Sequence, residues 1–135
     1  MKAVVSEVLE EMFYLVPDEL EGESNPGEGQ YLAEITLNGP RRLTVQLLFS
    51  QGLAEEMASN FLPDGDIDPS LVRDVLRETA NMVGGNLASL LDGDWDLSLP
   101  EVYEGVEAQG AVLGREPMGE LDVEGEPLYL YVEVE

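Results

Sequence analysis

"RDVLRETANMVGGNLASLL", Arg73–Leu91, holds the longest helical pattern in the chain together with three residues that weaken a helix, Asn81, Gly84 and Gly85. At about 100° per residue, Val72, Val75, Leu76, Thr79, Ala80, Val83, Leu87 and Leu90 fall on one broad face, which is the expected core face. Asp74, Glu78, Asn81 and Gly85 fall on a line nearly opposite and touch across successive turns. A merely solvated face would be better filled by Lys, Glu, Gln or Ala. Each glycine in a helix interior costs about 1 kcal/mol relative to alanine. The composition of this row therefore serves something other than helix stability.

Working outward, Asp68 followed by Pro69 marks the start of this helix, with the aspartate as N-cap and the proline in the first turn, and Asp92-Gly93 marks its stop. Upstream, Lys2–Val16 places Val5, Val8, Leu9, Met12 and Leu15 at helical spacing, closed by Pro17. The acidic, Gly- and Pro-rich run from Asp18 to Gly29 reads as a loop. Tyr31–Leu37 and Arg42–Ser50 alternate as strands around Asn38-Gly39, a hairpin signal because both residue types tolerate positive φ. Ser50 is placed to cap a helix over Gln51–Leu62, with Leu53, Met57 and Phe61 or Leu62 as its apolar stripe. Downstream, Trp95–Gln109, Gly119–Glu126 and Pro127–Glu135 read as strands. This order predicts an α+β fold, an antiparallel sheet packed against helices.

A chain of 135 residues, 44% hydrophobic, suits one domain with one core, here 1–135. There is no cysteine and no histidine, which removes thiolate chemistry, disulfides, serine triads and the commonest metal ligand. With 29 acidic against 6 basic side chains the formal net charge is −23. Such a surface repels phosphate backbones and anionic lipid, and Arg41-Arg42 is too small a patch to reverse that, so neither nucleic acid nor membrane is an expected partner. With no signal-like start and no long apolar run, the expected location is the cytoplasm. Two acidic clusters, Asp64–Asp68 and Asp92–Asp96, fail as calcium loops. Their sixth and twelfth positions hold Pro69 and Val75, or Leu97 and Tyr103, where an EF-hand needs Gly and Glu.

The polar row has a chemistry of its own. A glycine on an exposed helix face lets a second backbone come close. Asn81 offers an uncharged amide suited to orienting a water, and Glu78, one turn away, offers a fixed negative charge for a partner's cation. There is no nucleophile and base pair in the chain, so any reaction needs groups from the partner. The row reads as a docking tooth.

Asp74, Glu78 and Asn81, followed by Gly85-Asn86, are similar to the D/S-x-x-x-E-x-x-N signature of the chemotaxis phosphatases CheC, CheX and FliY. Within the chain, Ser6–Phe13 aligns with Asp74–Asn81, matching Ser6 to Asp74 and Glu10 to Glu78 but placing Phe13 where Asn81 stands. That suggests pseudo-duplicated halves, each a helix with a strand pair, of which only the second keeps the asparagine. A single usable motif resembles CheX more than CheC. The resemblance implies hydrolysis of the phosphoaspartate of a CheY-type response regulator, with the divalent metal, Mg2+, on the receiver and no cofactor on this chain. It implies that Glu78 pairs with the receiver's active-site lysine and that Asn81 holds the attacking water in line. Asp74 falls at the docking rim, Gly84 or Gly85 gives clearance, and Asn86 has a structural role. It also implies a homodimer, for which Pro127–Glu135 is a candidate edge strand. The competing reading is a non-catalytic acidic module that binds a receiver or a signalling component through the same tooth.

Overall fold

The computed structural model describes residues 17–19, 30–61, 68–123 and 125–135, with residues 17–19 and 61 described by their backbone. The helix expected over Lys2–Val16, and with it the first of the duplicated halves, lies outside the described residues, as do Leu62 and most of the Asp64–Asp68 cluster.

Seven strands among the described residues form one sheet: β1 (Pro17–Glu19), β2 (Tyr31–Asn38), β3 (Arg42–Phe49), β4 (Asp96–Leu97), β5 (Glu101–Glu104), β6 (Gly119–Val123) and β7 (Glu126–Val134). Their order is β1-β6-β7-β3-β2-β4, with β5 also on β2, and every pairing is antiparallel. Among the described residues three helices accompany it, α1 (Gln51–Phe61), α2 (Pro69–Leu90) and α3 (Val106–Val112). The α+β antiparallel architecture agrees with the sequence reading.

Side chains alternate across a strand, so each strand feeds two faces. On one, Ala33, Ile35 and Leu37 of β2, Val45, Leu47 and Phe49 of β3 and Leu128 and Leu130 of β7 pack with Leu53 and Met57 of α1 and Val72, Val75, Leu76, Ala80 and Val83 of α2. On the other, Leu32, Leu48, Tyr129 and Tyr131 pack under Ala108 and Val112 of α3. Burying each large apolar side chain of α2 is worth about 1.5–3 kcal/mol, which outweighs the propensity lost at its Asn and Gly positions.

The helix starts follow their expected chemistry. Leu71 donates its backbone N–H to Asp68 Oδ1 at 2.9 Å, and Leu53 donates to Ser50 Oγ at 3.2 Å. Ser50 Oγ in turn donates to Glu126 Oε2 at 2.7 Å, tying α1 to β7.

Several expectations are corrected. Pro17–Glu19, in part assigned to the acidic loop, is a strand paired to β6. The segment read as one strand over Trp95–Gln109 is two short strands, β4 and β5, separated by Ser98, Leu99 and Pro100, and then the start of α3, into which Gly105 turns the chain with a φ of +58°. β7, the candidate edge strand, lies between β6 and β3. Leu90, assigned to the core face, is the last residue of α2 and is 71% exposed. The β2–β3 hairpin forms as expected, but Gly39 is not in the positive-φ region. A Cβ there would lie 2.6 Å from the Asp94 carbonyl and 2.8 Å from the Trp95 ring, so close approach explains this glycine.

Candidate functional site

The site is built on the middle of α2. Its capped start and its packing on β2 and α1 hold it in place, and whatever points away from the sheet is presented to solvent. Asp74, Glu78 and Asn81 are all exposed, and Gly85 is half-buried beside them. Carboxylate and amide therefore project together from one side of the rod.

Their partners differ. Asp74 accepts a hydrogen bond and ion pair from Arg77 Nη1 at 3.0 Å. Among the described residues, neither Glu78 nor Asn81 has a side-chain hydrogen bond or ion pair. The helix itself explains Glu78: positions three and four residues away hold Asp74, Val75, Asn81 and Met82, none of them a cation. Asn86, for which structural hydrogen bonding was expected, has no side-chain hydrogen bond among the described residues; its backbone carbonyl accepts from Ser89 Oγ at 2.7 Å.

The two glycines do different things. Gly84 is buried, and a Cβ there would lie 3.1 and 3.2 Å from the Cδ1 and Cγ2 atoms of Ile35. It gives clearance to the sheet rather than to a partner, which corrects its assignment as a docking residue. A Cβ at Gly85 would meet only Leu97 Cδ1, at 4.0 Å. Helical side chains lean towards the N-terminus and cover the preceding turn. A side chain at 85 would thus lie over Asn81, and glycine leaves that amide open. Leu97 of β4, which borders both glycines, was not singled out in the sequence; the signal lay in its register, opposite Leu37 on the helix-facing side of the sheet.

On the far face of the sheet, a shallow groove of about 350 Å³ is lined by Glu34, Thr36, Arg42, Ser98, Leu99 and Glu101, and none of the candidate residues reaches it. Next to it the Tyr103 hydroxyl donates to Glu101 Oε2 at 2.6 Å, and this hydrogen bond, with burial and the nearby Glu34, pushes the phenol up to about 12. The candidate site is thus a protrusion, suited to entering a cleft in another molecule. Among the described residues no three acidic side chains converge to hold a metal ion, and no helix is long and apolar enough to cross a membrane.

Comparison with known proteins bears on the fold and the family. A search of curated protein sequences returns no match. Among solved structures, the chain is similar to the chemotaxis protein CheX from Vibrio vulnificus, with TM-score 0.77 and 21% identity over 99% of this chain and 93% of that one. It is similar to CheX from Desulfovibrio desulfuricans, with TM-score 0.78 and 15% identity over 99% and 95%. It also matches a Borrelia burgdorferi CheX-CheY-BeF3-Mg2+ complex, with TM-score 0.77 and 15% identity over 98% and 94%. At these identities the likeness establishes the fold. The family profile described as chemotaxis phosphatase CheX matches residues 31–122, and the chain belongs to that family.

Proposed function

We propose that this chain hydrolyses the phosphoaspartate of a CheY-type response regulator in chemotaxis signalling, by inserting Glu78 and Asn81 from α2 into the receiver's reaction centre. The observation that carries this reading is the pair of exposed, uncommitted side chains one turn apart on a rigid helix. The complex with CheY named for the Borrelia relative supports the choice of partner.

In the proposed reaction a water attacks phosphorus, the bond to the aspartyl oxygen breaks, and inorganic phosphate and a free carboxylate leave. Phosphoryl transfer asks for positioning and electrostatic support more than for covalent help. Asn81 holds the water in line through its amide and adds no negative charge beside the phosphoryl oxygens. Glu78 pairs with the receiver's lysine and sets the docking angle. The receiver carries Mg2+, which neutralises charge on the transferring group. The reading includes a homodimer, which light scattering on the purified protein tests.

The deciding experiment follows phosphate release from a phosphorylated CheY-type receiver with Mg2+, comparing the native chain with Asn81→Ala and Glu78→Ala. Asn81→Ala is expected to lose the rate and keep complex formation, and Glu78→Ala to weaken both. Equal release by the native chain and Asn81→Ala would leave the non-catalytic binding module as the reading.

A further inference from the structure

Resting on that reading, we infer that Leu97 is the apolar anchor of receiver docking, covered by the receiver when its phosphoryl group reaches Asn81.

Leu97 sits on β4, a two-residue strand at the outer side of β2. Its register partner Leu37 is fully buried, yet Leu97 keeps 37% of its surface in water. Its position is fixed by the glycine pair: its Cδ2 lies 3.5 Å from where a Cβ of Gly84 would be, and its Cδ1 lies 4.0 Å from that of Gly85. An exposed leucine is ordinary in itself. What singles this one out is its distance from the proposed reaction centre.

Gly85 follows Asn81 by four residues, a rise of about 6 Å along the helix. Leu97 borders Gly85, so it lies within about 10 Å of the proposed catalytic amide. Even a weak, transient interface of about 1,000 Å² in total covers about 500 Å² on each partner, a patch about 13 Å in radius. A receiver whose phosphoryl group reaches Asn81 therefore covers Leu97 as well. The other exposed large apolar side chains, Leu90, Leu99, Val106, Leu113, Met118 and Val134, do not border the open glycine of this row.

The energetic argument points the same way. A solvent-exposed ion pair such as one made by Glu78 supplies orientation but only about 0–1 kcal/mol. Affinity at interfaces comes chiefly from a few well-packed, desolvated anchors. Leu97 is apolar and borders the glycine pair, so covering it on docking removes exposed apolar surface from water beside the proposed reaction centre.

The test is steady-state hydrolysis of an isolated, radiolabelled phospho-receiver of the CheY type with Mg2+, over a range of receiver concentrations. The variants are Leu97→Met, which keeps an apolar side chain over Gly84, and Leu97→Gln, which keeps its length but presents a polar tip. Thermal melting checks that both remain folded. Leu97→Gln is expected to raise KM about tenfold with kcat unchanged, and Leu97→Met to stay within about twofold of native, the scale of an interface anchor. An unmoved KM in Leu97→Gln, or an equal rise in Leu97→Met, would overturn the anchor while native hydrolysis left the phosphatase reading standing. No acceleration by the native chain would overturn that reading and the anchor together.

Discussion

Asp74 and Arg77 close an ion pair of 3.0 Å on the exposed side of α2, while Glu78, the next residue, has no such partner among the described residues. The carboxylate expected at the docking rim is thus already engaged within its own helix, and the one expected to meet the receiver's lysine is free. Both members of the pair are substantially solvent-exposed, so its net worth is small, about 0.2–0.5 kcal/mol. Asp74→Ala is expected to shift thermal melting only slightly and to change phosphate release less than about threefold, well below the effect of Glu78→Ala. A loss as large as that of Glu78→Ala would make Asp74 a direct docking group.

The adjacent glycines are expected to respond in opposite ways to the same substitution. Gly84→Ala gains about 1 kcal/mol of helix propensity but brings a methyl to within 3.1 Å of Ile35, a buried β-branched side chain restricted at χ1, at an expected overpacking cost of about 1–3 kcal/mol. The net expectation is a lower melting temperature. Gly85→Ala meets Leu97 at ordinary contact distance, so it is expected to stabilise by up to about 1 kcal/mol while its methyl lies over Asn81 and slows phosphate release. Melting and hydrolysis measured on both variants check the pair.

Asn81→Asp separates shape from charge. The side chains are nearly isosteric and the position is exposed, so the fold is expected to remain within about 0.5 kcal/mol. The added carboxylate would face the phosphoryl oxygens and repel them. Hydrolysis is expected to fall by about a hundredfold or more, the scale of losing one preorganised stabilising group. Native-like hydrolysis by Asn81→Asp would remove the argument for a neutral amide.

A pH effect is expected far from the site. Tyr103 is pushed up to about 12, chiefly because its hydroxyl donates to the Glu101 carboxylate. A folded-state value raised above the unfolded value of about 10 means that the folded protein holds this proton more tightly. Its contribution to stability is whole below about pH 10 and is lost as pH rises towards 12. Denaturant unfolding at pH 9 and pH 11.5 is expected to show a smaller loss in Tyr103→Phe than in the native chain.

Much of this architecture was legible because single residue types marked it. Asp68-Pro69 announced the start of α2, Ser50 that of α1, and the alternation around Asn38-Gly39 gave the β2–β3 hairpin. The exposed row of Asp74, Glu78 and Asn81 followed from the helical period alone. What escaped was set by tertiary contact. α3 is seven residues long and its N-cap, Gly105, has no side chain with which to cap it, so Ala108 and Val112 at a spacing of four were its main signal. β7 was read as a candidate edge strand because its neighbours β6 and β3 are set by tertiary pairing, which its own alternation does not encode. Gly84 continues the apolar column of Leu76 and Ala80, and its burial was readable on those grounds, yet its pairing with Gly85 suggested a shared purpose.

The approach of Gly39 to Asp94 and Trp95 has a mechanical consequence. The Trp95 indole also donates to the Asp92 carbonyl at 3.0 Å, so the segment leaving α2 is wedged against the tip of the β2–β3 hairpin. A bulkier residue at position 39 would unseat that wedge and let the tooth wobble, blunting a machine whose parts were all still present.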